Sequence, residues 1–223
     1  VIARFASMRD RFRFRARGDH APAIAGAKEQ CMDSLKGQFL VAMPSMGDDR
    51  FRDTVIYLVG HGDEGAMGLV VNQSLDDMRF ADILEELKLG EKDEIIHLPE
   101  PVLNRRVLRG GPVQTSRGFV LHSPDYFRQE NSYPVSDDVC LTATLDILKS
   151  IAFKNAPADA LFALGYCGWS PGQLEGELKG NGWLTVPFDR ALLFETPIAD
   201  RYDAALARLG ITRASLSAIA GNA

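Results

Sequence analysis

Histidines, cysteines and serines are the residues of this chain with the widest chemical reach, and their spacing limits what they can do. His20, His61, His97 and His122 stand singly. None forms an HxH or HExxH pair, so a metal centre would require His61 and His122 to meet Glu64 or Glu175 in space. Cys31, Cys140 and Cys167 are widely spaced, without a CxxC pair, and read as reduced thiols in a reducing compartment. Ser45, Ser123 and Ser170 fall in turn or cap contexts, and no GxSxG elbow surrounds them. Residues 165–172 lack both the lysine of a P-loop and the spacing of GxGxxG. Neither a metal nor a cofactor is expected.

Anion or carboxylate binding is the chemistry left open. The run Ser170-Pro171-Gly172-Gln173 predicts a helix beginning at Pro171, with Ser170 as N-cap and Gln173 closing a capping box. Free N–H groups and the helix dipole at such a start favour negative charge. Gly168, Trp169, Ser170, Gln173 and Glu175 belong to this turn. Gly110 and Gly111 permit close backbone approach, while Arg117 and His122 add a charge and a proton donor. A ligand site is therefore expected where turn 168–173 meets turn 110–113 and the strand ending at His122. A structural account competes with it: the glycines serve turns, Ser170 and Gln173 cap a helix, Trp169 and Trp183 pack, and Glu175 pairs with Lys179 at i+4.

The elements that must position these residues alternate along the chain. Apolar runs predict strands at 38–42, 54–60 and 65–72, the last two joined by the hairpin-length link His61-Gly62-Asp63-Glu64. Phe80, Ile83, Leu84 and Leu87 recur at helical spacing, with Gly90 as the expected C-cap. Strands at 107–109 and 118–122, a helix over 141–153 and a strand at 161–166 follow. The helix from Pro171 runs to the stop Gly180-Asn181-Gly182. Short strands at 183–186 and 191–194 precede a final helical pair, 198–209 and 212–220. Interleaved strands and helices predict an α/β fold, a layered α/β/α sandwich, and the early hairpin makes its sheet mixed.

Composition sets the class. The chain has 223 residues, 46% hydrophobic and 25% charged, with a net charge of −5, as in an ordinary globular domain. Its longest apolar runs, about seven residues, are far short of the roughly twenty that span a bilayer. No secretory h-region is recognised in the first thirty residues, and the cytoplasm is the expected location. Residues 1–31 hold six arginines and Lys28 against three acids, a net +4 that leaves −9 on residues 32–223. They are read as a basic, disordered N-terminal extension of a single domain spanning 32–223, with Met32 a candidate original start.

Five blocks, in order, resemble the signatures of the AlgH/YqgE family. They are Leu35-Lys36-Gly37-Gln38-Phe39-Leu40; His61 with Glu64-Gly65-Ala66-Met67-Gly68-Leu69-Val70-Val71-Asn72; Gly110-Gly111-Pro112-Val113; Arg117-Gly118-Phe119-Val120-Leu121-His122; and Gly165-Tyr166-Cys167-Gly168-Trp169 through Gly172-Gln173-Leu174-Glu175. The second block adds His61, Glu64 and Asn72 as a second candidate cluster. The resemblance implies a bacterial α/β sandwich with a smaller αβ-plait-like portion and no settled activity, some members being labelled transcriptional regulators. Cys167 stands where the family usually has Ala, which weakens a catalytic role for its thiol.

Two functional expectations follow. The first is a non-enzymatic regulatory or interaction protein, binding a small molecule or a protein partner, with homo-oligomer formation open and any effect on transcription indirect. The alternative is an enzyme acting on a small polar or anionic substrate, with His122 or His61 as acid/base and Glu175 as partner. The closing helical pair resembles a helix-turn-helix in length, but its second helix offers only Arg213 as a base, and a body of −9 opposes phosphate contacts. Residues 32–223 are thus predicted to show no nanomolar affinity for duplex DNA in about 150 mM salt. Fluorescence anisotropy with labelled duplexes checks this, and tight specific binding would refute it.

Overall fold

The computed structural model describes residues 34–89, 100–153 and 156–220; the basic extension and Gly90 lie outside them. Its strands are β1 (Phe39–Ala42), β2 (Val55–Gly62), β3 (Gly65–Val70), β4 (Ser74–Arg79), β5 (Arg106–Arg109), β6 (Val113–His122), β7 (Ser132–Pro134), β8 (Cys140–Thr142), β9 (Ala160–Trp169) and β10 (Trp183–Val186). The helices are α1 (Phe80–Glu86), α2 (Glu100–Leu103), α3 (Leu145–Phe153), α4 (Gln173–Lys179), α5 (Arg201–Arg208) and α6 (Arg213–Ala220).

The strands form one sheet in the order β10-β1-β2-β3-β9-β6-β8-β7, with β5 joining β9 and β4 joining β5. The β5–β9 pairing is parallel, whereas β9 is antiparallel to both β3 and β6. The sheet is mixed, as expected. Its central strands are apolar on both sides: every residue of β1 and of β3 is buried. Such strands need cover on two faces. One face packs Phe39, Tyr57 and Leu121 against Leu192, Tyr202 and Leu206. On the other, Val120 and Phe162 meet α1 and α3 through Phe80, Leu84, Ile147 and Leu148, and Leu40, Ile56 and Trp169 meet Leu174 of α4. The outcome is the layered α/β/α arrangement read from the sequence.

β9 carries the topology. β3 and β5 lie along one of its edges and β6 along the other, yet β5 and β6 are joined only through Gly110-Gly111-Pro112. This short link must cross β9. Where it does, an added Cβ on Gly111 would lie 2.2 Å from the carbonyl carbon of Tyr166, and one on Gly165 would lie 2.4 Å from the Gly111 oxygen. Both residues also have positive φ, 153° and 77°. The same kink reverses the alternation of β9. Ala163 and Tyr166 face one core and Phe162 and Cys167 the opposite side, which period-two geometry forbids without an irregularity.

Several boundaries differ from the sequence reading. Residues 140–142 are a strand paired with β6 and β7, so the helix expected over 141–153 starts at Leu145. The apolar run at 191–194 forms a π-helical turn, Ala191–Glu195, closed by the Thr196 N–H donating to the Ala191 carbonyl at 2.8 Å. Helix α1 ends in a Schellman arrangement: Leu89 N–H donates to Leu84 O, Lys88 N–H donates to Glu85 O, and Lys88 takes the left-handed position expected near Gly90. Helix α4 begins at Gln173, because Gly172 is left-handed (φ 73°, ψ −7°) and Gln173 N–H donates to Ser170 O at 3.0 Å. Ser170-Pro171-Gly172-Gln173 is a type II turn that feeds the helix.

Helix α5 is fastened through polar groups. Tyr202 Oη donates to Ala42 O at 2.8 Å, and the buried Arg201 donates to Thr196 O and to Val71 O. Burial pushes the Arg201 guanidinium down to about 10, so it still carries its charge at neutral pH.

These contacts rank the glycines by cost. Gly172→Ala, with open space around its Cβ, should cost about 1–2 kcal/mol from left-handed strain. Gly111→Ala and Gly165→Ala should cost more than that, because backbone atoms must also separate. Urea unfolding of the three variants checks the order; equal losses would refute the crossing as the tighter constraint.

Candidate functional site

The residues singled out by sequence occupy separate places along β9. At its C-terminal end, β2 delivers His61 opposite Ala66 of β3, which is itself opposite Trp169. His61 Nε2 lies 2.9 Å from Glu175 Oε1 in the first turn of α4. The Leu35 N–H donates to His61 Nδ1 at 3.0 Å, and Ser34 Oγ donates to the His61 carbonyl. An accepting Nδ1 leaves the proton on Nε2, which donates to Glu175. Glu175 thus joins His61 rather than Lys179. The His61 side chain is only 4% exposed against 26% for Glu175. Both ring nitrogens are occupied in tying residues 34–35 to β2 and α4.

Beside this pair sits a carboxylate that sequence reasoning missed. Glu177 Oε2 accepts the indole N–H of Trp169 at 2.9 Å and that of Trp183 at 2.7 Å. Gln173 Nε2 donates to Glu177 Oε1, while Gln173 Oε1 accepts from Ser170 N–H. The two buried indoles, 6.1 Å apart and edge-on, each need an acceptor; that requirement was the available signal. Gly168 packs nearby, with Tyr166 3.3 Å from a hypothetical Cβ.

His122 lies at the opposite end of the sheet. It pairs with Ala160, nine residues of β9 away from Trp169, which is about 30 Å at 3.3 Å per residue. It is fully buried. Arg128 N–H donates to Ser132 Oγ at 3.1 Å, Ser132 Oγ is 3.0 Å from Thr142 Oγ1, and Thr142 Oγ1 is 2.9 Å from His122 Nε2. Nδ1 donates to the Ser123 carbonyl at 2.8 Å. With the ring neutral, Nε2 accepts from Thr142 and donation runs from Arg128 through Ser132 and Thr142 to the ring and on to Ser123. Burial pushes the His122 pKa below its usual 6.5, against the opposing effects of the Ser123 carbonyl and Asp125.

The remaining candidates are dispersed as well. Gly110 and Gly111 form the crossing. Arg117 lies over the Phe119 ring at 5.2 Å, with Nη1 3.3 Å from Gln114 Oε1. Glu64 is exposed in the β2–β3 turn. Asn72, far from His61 along the hairpin, accepts from Val55 N–H and donates to Asp53 O, both at 2.7 Å. The nine ligand candidates therefore do not converge, and His61, Glu64 and Asn72 do not form one cluster. Among the described residues, no group of three or more His, Cys, Asp and Glu is placed to hold a metal ion. Cys167 is buried 3.6 Å from Gly110 O, and burial pushes its thiol up to about 12.

A pocket of about 370 Å³ opens elsewhere, between β4–α1 and the β6–β9 pair. Between Val113, opposite Tyr166, and Gly118, opposite Leu164, four residues of β6 face only Gly165. They arch away from β9, with Gln114 at φ 47°. Thr115 and Ser116 of the arch border the pocket; Val120, Leu148 and Phe162 are among its buried lining residues. Nothing in the sequence pattern marks this space, because it is made by a register shift.

Fold and surroundings define a layered α/β protein whose mixed sheet is crossed by its own chain at glycine. The model of the AlgH-like family matches residues 39–214, and the chain belongs to that family. It is 49% identical over 207 residues to a UPF0301 protein of Rhodopseudomonas palustris strain HaA2, covering 93% of this chain and 94% of that protein. A Mesorhizobium japonicum UPF0301 protein is 53% identical over 189 residues, 85% of this chain and 93% of its own. The solution structure of the AlgH protein from Pseudomonas aeruginosa matches with a TM-score of 0.68 at 42% identity, over 88% of this chain and all of that one. A Corynebacterium diphtheriae crystal structure, 19% identical with a TM-score of 0.60, covers 77% of this chain and 85% of its own and shares the fold. Among the described residues, no helix is long and apolar enough to cross a membrane.

The neutral, buried His122 predicts a pH dependence. Its folded pKa lies below the unfolded value, so the unfolded state binds more protons in that interval and stability rises with pH. Stability should fall as pH drops below about 6.5 and level off once the native pKa is passed, by at most about 1.4 kcal/mol per pH unit from this group. Urea unfolding between pH 7.5 and 5, with an NMR titration of the His122 ring, checks it. A ring that protonates at or above pH 6.5 in the native state would refute it.

Proposed function

We propose that this chain is a non-catalytic binding protein of the cytoplasm whose ligand is a small molecule held in the pocket between β4–α1 and β6–β9. The carrying observation is the pocket itself: about 370 Å³, within the range of small-molecule sites, with an apolar interior and hydroxyls on its rim. Any influence on gene expression would follow from ligand occupancy altering a protein contact, since the body's charge opposes DNA.

One observation favours the alternative, acid/base chemistry: His61 and Glu175 meet at 2.9 Å. The same geometry argues against it. A general base needs a free lone pair directed at substrate, whereas the Nδ1 of His61 is held by a backbone N–H and the Nε2 of His122 by Thr142. Neither lone pair is directed at a space where a substrate could sit.

Benzene and xenon, which enter apolar cavities regardless of polar groups, test the binding reading. Titration of ¹⁵N-labelled protein with either should give saturable shifts centred on Val120, Leu148 and Phe162. Thr115→Trp, a change at an exposed rim position, should remove them. Shifts that centre on the His61–Glu175 region, or none, would overturn the proposal.

A further inference from the structure

The distribution of polar groups around the pocket limits what can occupy it. Among the described residues, its lining includes no lysine, arginine or histidine, and Glu86 is its one ionisable side chain. Thr115, Ser116 and Glu86 are exposed, whereas Val120, Leu148 and Phe162 are buried. Polar groups therefore stand at the mouth and apolar ones at the floor. A carboxylate or phosphate drawn inside would lose water without gaining a cation, which is strongly unfavourable, and an ammonium would gain only the solvent-exposed Glu86, a pair worth little. An uncharged hydroxyl or carbonyl at the mouth can instead exchange hydrogen bonds with Thr115 and Ser116, each a donor and an acceptor. The space equals that of about a dozen waters at roughly 30 Å³ each.

We infer that the pocket binds a neutral amphiphile of about ten heavy atoms, its hydroxyl or carbonyl end at Thr115 and Ser116 and its apolar body against Val120, Leu148 and Phe162. This rests on the pocket being a binding site, the reading proposed above. The chemistry differs from the anion site expected at the start of α4. There Gln173 and Ser170 satisfy one another, and the carboxylates of Glu175 and Glu177 are close by.

The full chain is titrated with 1-octanol, octanoate, octylamine and benzene, followed by amide shifts of pocket residues. The alcohol should bind at least tenfold more tightly than either charged analogue at pH 7. The double variant Thr115→Val, Ser116→Ala, both at exposed positions, should weaken 1-octanol about three- to tenfold, the range of one or two hydrogen bonds, and leave benzene unchanged. Benzene bound in the pocket with octanoate or octylamine matching or exceeding the alcohol would overturn the neutral class while leaving the pocket standing. So would a double variant with no effect on the alcohol. No binding of benzene or any of the octyl probes would overturn the pocket and the class together.

Discussion

A polypeptide can pass closely over a paired strand only where no side chain is wedged between the two backbones. The crossing of Gly110 and Gly111 over Gly165 and Tyr166 is such a place, with hypothetical Cβ atoms falling 2.2–2.4 Å from backbone. The rest of the sheet is arranged around it. Because the link crosses there, β5 and β6 can grip opposite edges of β9. Because Gly165 kinks β9, its halves present alternate side chains to different cores: Phe162 to the layer of α1 and α3, Trp169 to the layer of α4. The arch of β6 beside the same glycine makes the pocket. One steric constraint thus sets the topology, the division of the second face and the candidate site.

Much of this was legible, for identifiable reasons. Long apolar runs such as 54–60 and 161–166 name strands buried on both faces, and the spacing of Phe80, Leu84 and Leu87 names a helix. What failed depended on non-local pairing or on one backbone angle. Cys140–Thr142 is a strand because β6 and β7 flank it, although Leu141 alone continues the helical stripe of α3. The run 191–194 is apolar enough for a strand, yet no strand of the sheet pairs with it. At 170–173 the proline and glycine suit a helix start, and the left-handed Gly172 makes them a turn. Of the site, the singled-out residues proved close together only at the His61–Glu175 end. Glu177 was overlooked because a carboxylate on a helix reads as surface until two indoles point at it, and a cavity made by a register shift has no sequence pattern.

The polar interior shows how histidine can be used without acid/base chemistry. His61 and His122 each accept one hydrogen bond and donate another, and in both the tautomer is dictated by a backbone group: the Leu35 amide in one, the Ser123 carbonyl in the other. A side chain fixed in this way joins elements by direction as well as distance. Arg201 does the same for α5 with two carbonyls. Such groups are satisfied, and satisfied buried polar groups specify a unique packing.

The crossing link also bears on how the chain is made. Strands β3, β5 and β6 are all synthesised before β9, and each has an edge that only β9 completes. Until residues 160–169 leave the ribosome, three strands expose unpaired N–H and C=O groups, the condition under which strands of different chains join. β9 must then enter between partners that are already tethered to one another across its path by Gly110-Gly111-Pro112. Passage of β9 beneath that link completes the edges of all three strands at once, with β10 and α5 still to be synthesised behind it.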